Sequence, residues 1–219
     1  MKENFSLTND FIFRNIFGDE KNADLLLSLV NAVFESKRLP PLVSIFPVSP
    51  FLPVHQLTQR EGILDVHAVD SAGRQYDLEI QVRSQENYVK RSLYYLARMY
   101  GGQLARGSDF KLLVPCIGIN FLDFRLFPED ALFHHYFTYR EFDHPEQELS
   151  REMSIHFLEL PKFMEWVASR EKHPVDPLKA IEKWLYLIKE IEKPEDSMCR
   201  KYYTVHPNWR RFKRSMKIS

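Results

Sequence analysis

The chain has 219 residues, of which 44% are hydrophobic and 14% aromatic, and its 30 basic and 30 acidic side chains give a formal net charge of zero. This composition allows a sizeable core in one large domain, or in one domain with an appendage, and a neutral chain has no global positive field to attract nucleic acid. The two cysteines give no disulfide framework and no metal-binding spacing. The N-terminus lacks an apolar signal region, and no apolar run approaches the roughly 18–20 residues of a membrane span, so we expect a cytoplasmic protein without membrane contact.

Two helices and an edge strand are predicted in the first quarter of the chain. The first helix follows a capping residue, Thr8 or Asn9, and stops at Gly18. A longer helix is predicted over Asn22–Phe34. Its apolar stripe comprises Leu25, Leu26, Leu29, Val30 and Val33. A proline-rich loop follows, with an edge strand at Leu42–Phe46.

A β-hairpin is predicted over Ile63–Val82, because apolar and polar side chains alternate there with the period of two that strands have. The apolar face comprises Leu64, Val66, Ala68, Tyr76, Leu78, Ile80 and Val82, and the polar face includes Asp65, His67, Asp77, Glu79 and Gln81. Gly73 supplies the left-handed residue of a three-residue turn. If Asp70 and Arg74 flank that turn, Asp65 lies directly across from Glu79.

This pattern leaves two interpretations of Asp65 and Glu79. Directly opposed Cβ atoms in an antiparallel pair are about 4.5–5.5 Å apart, and like charges at that distance destabilise the pair. A divalent cation between the two carboxylates would remove this cost. Alternatively, the polar face is the solvated side of a half-buried antiparallel sheet, which is the commonest origin of such alternation.

A βαβ unit is predicted after the hairpin. Residues 85–106 have a helical pattern, and Gly101-Gly102 marks either its end or a close approach of another backbone. The apolar face of this helix is predicted to comprise Val89, Leu93, Leu96, Ala97 and Tyr100. The nearly continuous apolar run Leu112–Phe124 predicts a strand buried on both faces.

The C-terminal third is predicted to contain two strands, two helices and a basic tail. The strands are placed at Phe133–Arg140 and Met153–Leu160, and the helices at Pro161–Arg170 and Pro177–Ile191. We expect an α/β domain over residues 1–172 and a helical, basic extension over residues 173–219. Residues 200–219 hold seven basic and no acidic side chains, which leaves 23 basic against 30 acidic in residues 1–199. This tail is either a solvated end or an arm that binds a polyanion.

Four segments carry a resemblance to a known family when taken in chain order: TNDFIFRNIFG (8–18), ILDVHAVDSAGRQYDLEIQV (63–82), YVKRSLYYLARMYGGQL (88–104) and SIHFLELPKF (154–163). Together they resemble the PD-(D/E)XK nuclease superfamily, and within it the bacterial family of recombination-promoting nucleases and transposases. The resemblance spans most of residues 5–190 and implies a mixed central sheet flanked by helices. The tail after Glu192 matches nothing recognised in the family.

The resemblance implies a metal site on the hairpin. Asp65 and Glu79 correspond to the two metal-binding acids, and Ile80 could add a backbone carbonyl. Mg²⁺, or Mn²⁺ in its place, is the implied cofactor, because Mg²⁺ prefers oxygen ligands and typically takes one or two carboxylates. Gln81 stands where the archetype has lysine; it carries no charge but can hydrogen-bond a water or a phosphate. The archetypal proline before the first acid is Leu64 here.

Other polar residues are candidates with competing explanations. Asp10 is either a further acid of the site or a residue that stabilises a helix start. Arg91, Arg98 and Gln103 on the long helix are candidate nucleic-acid contacts, and the two arginines are otherwise solvated surface charges. His67 is either a base or a hydrogen-bonded surface residue. His134 and His135 are adjacent in a strand and face opposite sides, so a shared metal is not expected.

Two functions of different classes follow. The first is a Mg²⁺-dependent endonuclease that promotes DNA recombination or transposition by phosphodiester hydrolysis. The second is a catalytically weak module of the same fold, which binds nucleic acid or a partner protein in a mobile-element or phage-defence system. DNA is the expected partner, and a homodimer is one allowed assembly.

Overall fold

A computed structural model describes residues 7–52, 62–171 and 179–190. The α-helices in these ranges are α1 (Asp10–Phe17), α2 (Ala23–Ser36), α3 (Tyr88–Gly101), α4 (Leu160–Glu171) and α5 (Ala180–Glu190). The strands are β1 (Ile45–Val48), β2 (Phe51–Leu52), β3 (Gly62–Ile63), β4 (Val66–Asp70), β5 (Gln75–Gln81), β6 (Cys116–Leu122), β7 (His134–Arg140) and β8 (Glu148–Glu159). No helix in the described part of the chain has the length and apolar character needed to cross a membrane.

Six strands form one mixed sheet in the order β1-β4-β5-β6-β8-β7, and β2 pairs separately with β3. The strands β1, β4 and β5 are antiparallel, whereas β5, β6 and β8 are parallel. The last strand, β7, is antiparallel to β8. The edge position of β1 and the β5-α3-β6 unit confirm the sequence prediction, and the whole is the α/β arrangement that the family resemblance implies.

The hairpin has the predicted register. Val66 pairs with Leu78 and His67 with Asp77, which is the alignment that places Asp65 opposite Glu79. Gly73 has a φ of 82°, so the left-handed turn residue is also where the sequence predicts it. The register follows from this short turn, because turn type and loop length determine which residues pair in a hairpin.

The sheet is covered by helices on both faces. On one face, α1, α2 and α5 pack on the apolar side chains of β4, β5 and β6. On the other face, α3 packs on β6 and β8. The polar side chains of β5 point toward the α3 layer and not into solvent, since Asp77 and Glu79 are only 5% and 4% exposed. The interpretation of this strand face as a solvated surface is therefore wrong.

The predicted buried face of α3 is confirmed at Leu96 but is wrong in the first two turns of the helix. Val89 and Leu93 are 40% and 50% exposed, and the helix buries Tyr88 and Ser92. The reason is the polarity of the sheet below. The Tyr88 hydroxyl donates to Asn120 Oδ1 at 2.8 Å, and Ser92 Oγ, which is 3.1 Å from the Tyr88 carbonyl, is 3.4 Å from the same oxygen. A helix over a polar sheet face is thus oriented by its hydroxyl groups and not only by its most apolar stripe. Its predicted end at the glycine pair is confirmed.

The fifth helix lies in the main core. Trp184 is 1% exposed, and its Nε1 donates to Ser28 Oγ of α2 at 3.3 Å. Lys189 pairs with Asp123, just after β6, at 2.7 Å. The domain boundary that we predict near residue 172 and the basic tail 200–219 lie outside the described residues, and both stay predictions.

Candidate active site

Asp65 and Glu79 come together where β4 begins. Asp65 lies just before that strand, and its backbone N–H donates to Glu79 Oε1 at 3.3 Å. In return, Asp65 Oδ2 accepts the backbone N–H of Ile80 at 3.1 Å. Both side chains are buried, with 7% and 4% of the residue exposed. The short antiparallel ladder thus ends in two carboxylates, each bonded to the backbone of the opposite strand.

The backbone N–H of Ile80 points toward the carboxylate of Asp65. This N–H is directed toward the β4 side of β5, and in a strand the N–H and C=O of one residue point to the same side. The Gln81 carbonyl points the other way, because it accepts the N–H of Asp123 at 2.9 Å. The carbonyl that the sequence predicts as a third oxygen ligand therefore lies on the carboxylate side.

Each carboxylate is paired with one arginine. Arg14 of α1 donates from Nε to Asp65 Oδ1 at 2.8 Å. Arg91 of α3 donates from Nη2 to Glu79 Oε2 at 3.2 Å. The sequence prediction placed Arg91 on phosphate and missed Arg14. A signal for Arg14 was present, since it lies four residues after Asp10 and off the apolar face of α1, whose buried residues are Phe13, Ile16 and Phe17.

Gln81 lies beside Glu79 on the same strand face. Its Oε1 accepts from Arg91 Nη1 at 3.5 Å, and its Nε2 donates to the Arg83 carbonyl at 3.4 Å. Arg91 therefore contacts both Glu79 and Gln81. A permanent positive charge lies next to the position where the family archetype has lysine.

Asp77 is a third acid of this strand face that the sequence analysis did not select. It is 5% exposed, and its Oδ1 has no hydrogen-bond partner among the residues that the structure describes. Burial raises the pKa of Asp77 well above its usual range, and the charges of Glu79 and Asp65 raise it further. Alternation places Asp77 on the same odd-numbered face as Glu79, but it does not indicate that this face is buried.

The other two acids also bind protons more readily than usual. Burial raises the pKa of Glu79 to about 7, and the neighbouring Asp65 adds to the shift against the opposing effect of Arg91. Burial also raises the pKa of Asp65, although the Ile80 N–H and Arg14 act in the opposite direction. Perturbed carboxyl groups held by fold and neighbours in this way are typical of functional sites.

Asp10 lies beside this group, in contact with Arg14. Its carboxylate is 3.9 Å from Arg14 Nη2, and its side chain is 65% exposed. It also accepts the N–H of Phe11 at 2.8 Å, next to the cap that Asn9 forms. The structure therefore gives Asp10 the helix-start contact that the sequence suggested, together with a place beside the arginine of the site.

The remaining candidates have other partners. The Arg98 guanidinium lies 5.7 Å from the centre of the Tyr94 ring. The side-chain amide of Gln103 binds both backbone groups of Val114, at 3.0 and 2.8 Å. The role of Arg98 and Gln103 in nucleic-acid binding stays a prediction.

The histidines that the sequence singles out, His67, His134 and His135, have contacts with other residues of the fold. The ring nitrogens of His67 contact the Ser49 carbonyl at 2.9 Å and Gln75 Oε1 at 3.3 Å. His134 contacts His156 at 3.0 Å, whereas its neighbour His135 contacts Asp130 at 2.9 Å. His134 and His135 thus have separate partners, as expected for adjacent strand residues.

The donor set suits a hard divalent cation. In the described ranges, no group of three or more His, Cys, Asp or Glu side chains is arranged to hold a metal ion. A cation at Asp65 and Glu79 would take its other ligands from the Ile80 carbonyl and from water, and Mg²⁺ commonly binds proteins in this way.

The comparison with protein families agrees with this geometry. A model described as PD-(D/E)XK nuclease family transposase matches residues 7–218. No curated protein and no solved structure matches the chain. The match includes the basic tail, so the expectation that the tail falls outside the family pattern is wrong. Since the match covers nearly the whole sequence, the chain belongs to the PD-(D/E)XK nuclease family of transposases.

Proposed function

We propose that this protein is a Mg²⁺- or Mn²⁺-dependent DNA endonuclease that hydrolyses phosphodiester bonds in recombination or transposition. The observation that supports this most strongly is the meeting of Asp65 and Glu79, both buried and each bonded to the backbone of the opposite strand. The proposal places the protein in the bacterial cytoplasm, acting on DNA as a monomer or a homodimer.

The residues have distinct roles in this proposal. Asp65, Glu79 and the Ile80 carbonyl hold the cation, which when bound lowers the pKa of a coordinated water and offsets charge on the scissile phosphate. Burial keeps the two side chains in one geometry, so little reorganisation is needed at the moment of reaction. Gln81 orients the attacking water or a phosphate oxygen through its amide.

Arg91 supplies the positive charge that Gln81 lacks. The archetypal lysine of the superfamily would stand at residue 81, and the guanidinium of Arg91 lies 3.5 Å from Gln81 Oε1. Arginine is not deprotonated in proteins, so Arg91 stays charged. The Gln81–Arg91 pair can therefore combine a hydrogen-bonding group with a cation, as one lysine does.

The test is nicking of supercoiled plasmid DNA with Mg²⁺ or Mn²⁺ and with EDTA. The wild-type protein should nick only with the metal, and Asp65→Asn should lower the rate by at least about a hundredfold, the size of effect seen when one catalytic electrostatic group is removed. Glu165→Gln is the matched control, because the Glu165 side chain is 62% exposed and is paired with the surface residue Arg125. Equal nicking by Asp65→Asn and the control would contradict the proposal.

A second function is favoured by one observation. Both carboxylates are paired with arginines, and residue 81 is glutamine and not lysine, an arrangement that would suit a module that only binds nucleic acid or a partner protein. Such a module would bind duplex DNA equally well with EDTA and with Mg²⁺ and would show no nicking with either metal.

A further inference from the structure

The two arginines approach the carboxylates from opposite sides of the sheet. Arg14 is carried by α1, which packs with Phe13 and Phe17 in the core on one face. Arg91 is carried by α3, which packs in the core on the other face. Both layers therefore place one guanidinium at the point where β4 begins.

The arginine side chains of the site are more exposed to solvent than the carboxylates. The Arg14 and Arg91 side chains are 43% and 34% exposed, whereas those of Asp65 and Glu79 are 6% and 5% exposed. Arg14 also borders an open depression of about 480 Å³ on the α1 side. The carboxylates are held by backbone N–H groups, so a change at this site would move the arginines first.

We propose that Arg14 and Arg91 make the binding of a divalent cation and of DNA depend on each other. Without a cation each guanidinium neutralises one carboxylate; when a cation takes the carboxylates, the two guanidinium groups turn to phosphate oxygens of the DNA. This inference rests on the proposed metal-dependent nuclease function, which it deepens by naming how substrate and cation are coupled.

Charge balance at the site couples the binding of the cation to the binding of DNA. Two arginines already balance the two carboxylates, so a divalent cation that takes the carboxylates frees both guanidinium groups from them. Arg14 then keeps the exposed carboxylate of Asp10, 3.9 Å away, and Arg91 loses its contact with Glu79. A DNA backbone supplies a new anionic partner, and arginine binds phosphate well because its planar fork donates several hydrogen bonds. Coupling between two ligands is reciprocal, so DNA must also tighten cation binding.

The first experiment measures cation affinity without DNA and without catalysis. Isothermal titration with Mn²⁺ compares the wild-type protein with Arg14→Gln and with Arg14→Lys. Removing a competing cation should tighten Mn²⁺ binding by about two- to fivefold in Arg14→Gln, a modest factor because the Arg14 side chain is 43% exposed and its charge is screened by solvent. Arg14→Lys keeps the charge and should lie between the two. Arg151→Gln, which breaks the surface pair with Glu148, should bind Mn²⁺ like the wild type.

The second experiment measures DNA binding by fluorescence anisotropy of a labelled duplex, with EDTA or with Ca²⁺ as the divalent probe, and gels check that the duplex stays intact. With EDTA, Arg14 is bound to Asp65, and Arg14→Gln should change the affinity little. With Ca²⁺, Arg14→Gln should weaken binding and flatten the slope of log K against log salt by about 0.9, the value of one lost phosphate contact.

The outcomes separate the two proposals. If the wild-type protein binds no divalent cation, the proposed function is wrong and the coupling is wrong with it. If the wild type binds Mn²⁺ but Arg14→Gln binds it no more tightly, and the salt slopes match, the coupling is wrong and the nuclease proposal stands. If Arg14→Gln does not fold, Arg91→Gln and Arg14→Lys decide by the same two measurements.

Discussion

Two buried polar clusters differ in how their groups are paired. The carboxylate cluster at the start of β4 contains Asp65, Asp77 and Glu79. A histidine cluster on the α2 side of the sheet links Ser36, His134 and His156 by hydrogen bonds of 2.7 and 3.0 Å. Both clusters are buried, but only the first concentrates groups that are negative when ionised.

The pKa shifts express this difference. Burial lowers the pKa of His134 to about 2 and that of His156 to about 3, so both rings stay neutral at ordinary pH. Burial and mutual repulsion raise the pKa values of the three acids. A neutral hydrogen-bonded network supports the fold, whereas three adjacent acids cost stability unless they serve a ligand. Buried polar groups therefore indicate a functional site when they repel each other in their charged forms, as the three acids do, and not when they form a neutral hydrogen-bonded network.

The largest expected effect separates the clusters by activity. Glu79→Gln should reduce metal-dependent nicking by at least about a hundredfold, because it removes one anionic ligand. The melting temperature of the metal-free protein should not fall, since the amide that replaces the carboxylate keeps the shape of the side chain and lacks the repulsion. Plasmid nicking and thermal melting of the same preparation measure both quantities. If Glu79→Gln lost both its fold and its activity, Glu79 would be required for the structure, and the predicted role as a metal ligand would be contradicted.

The histidine cluster should show the reverse pattern. His156→Phe keeps a buried ring but removes the hydrogen-bond partner of His134 Nε2, which should lower the free energy of unfolding by about 1–3 kcal/mol. The nicking rate per folded molecule should match the wild type. Urea unfolding at pH 7.5 measures the first quantity. If His156→Phe were as stable as the wild type, or if it folded but did not nick DNA, the purely structural role of the histidine cluster would be contradicted.

The two clusters should also respond to acid differently. The folded pKa values of His134 and His156 lie below the ordinary value of 6.5. The unfolded chain therefore takes up protons first, so the stability that these rings contribute is complete above pH 6.5 and is lost as the pH falls toward 3. Each ring should contribute about 1–2 kcal/mol of this loss between pH 6.5 and 5. Urea unfolding across this range should show a shallower loss for His156→Phe, and equal slopes would contradict the assignment.

The smallest effect is expected on the alkaline side. The folded pKa of Glu79 is about 7, above the ordinary 4.5. Its contribution to stability is therefore complete below pH 4.5 and is lost as the pH rises through 7. Metal-free Glu79→Gln should exceed the wild type in stability by about 1 kcal/mol at pH 8, and the difference should shrink by pH 5. A difference independent of pH would show that Glu79 does not titrate in this range.

Sequence reasoning reached the edge strand, the hairpin and the βαβ unit that follows it. The turn at Gly73 and the alternation of β5 determine the register, so the meeting of Asp65 and Glu79 could be predicted from local rules. The rotation of α3 could not, because its orientation depends on Asn120, a residue far away in the sequence that binds Tyr88 and Ser92.

The pairing with Arg14 was also beyond local rules. Arg14 and Asp65 are 51 residues apart, and only the packing of α1 against the sheet brings them together. Alternation likewise divides a strand into two faces without saying what covers each face. That is why Asp77 was assigned to the polar face but not recognised as a buried acid of the site.

The claim that Asp65 and Glu79 share a divalent cation has one direct test. Thermal melting of the wild-type protein and of Asp65→Ala is followed as Mn²⁺ is added, with no DNA present. A ligand that binds only the folded state raises its stability. We predict that the melting temperature of the wild-type protein rises with Mn²⁺ and that Asp65→Ala folds but shows no rise. A rise of equal size in Asp65→Ala would contradict the claim.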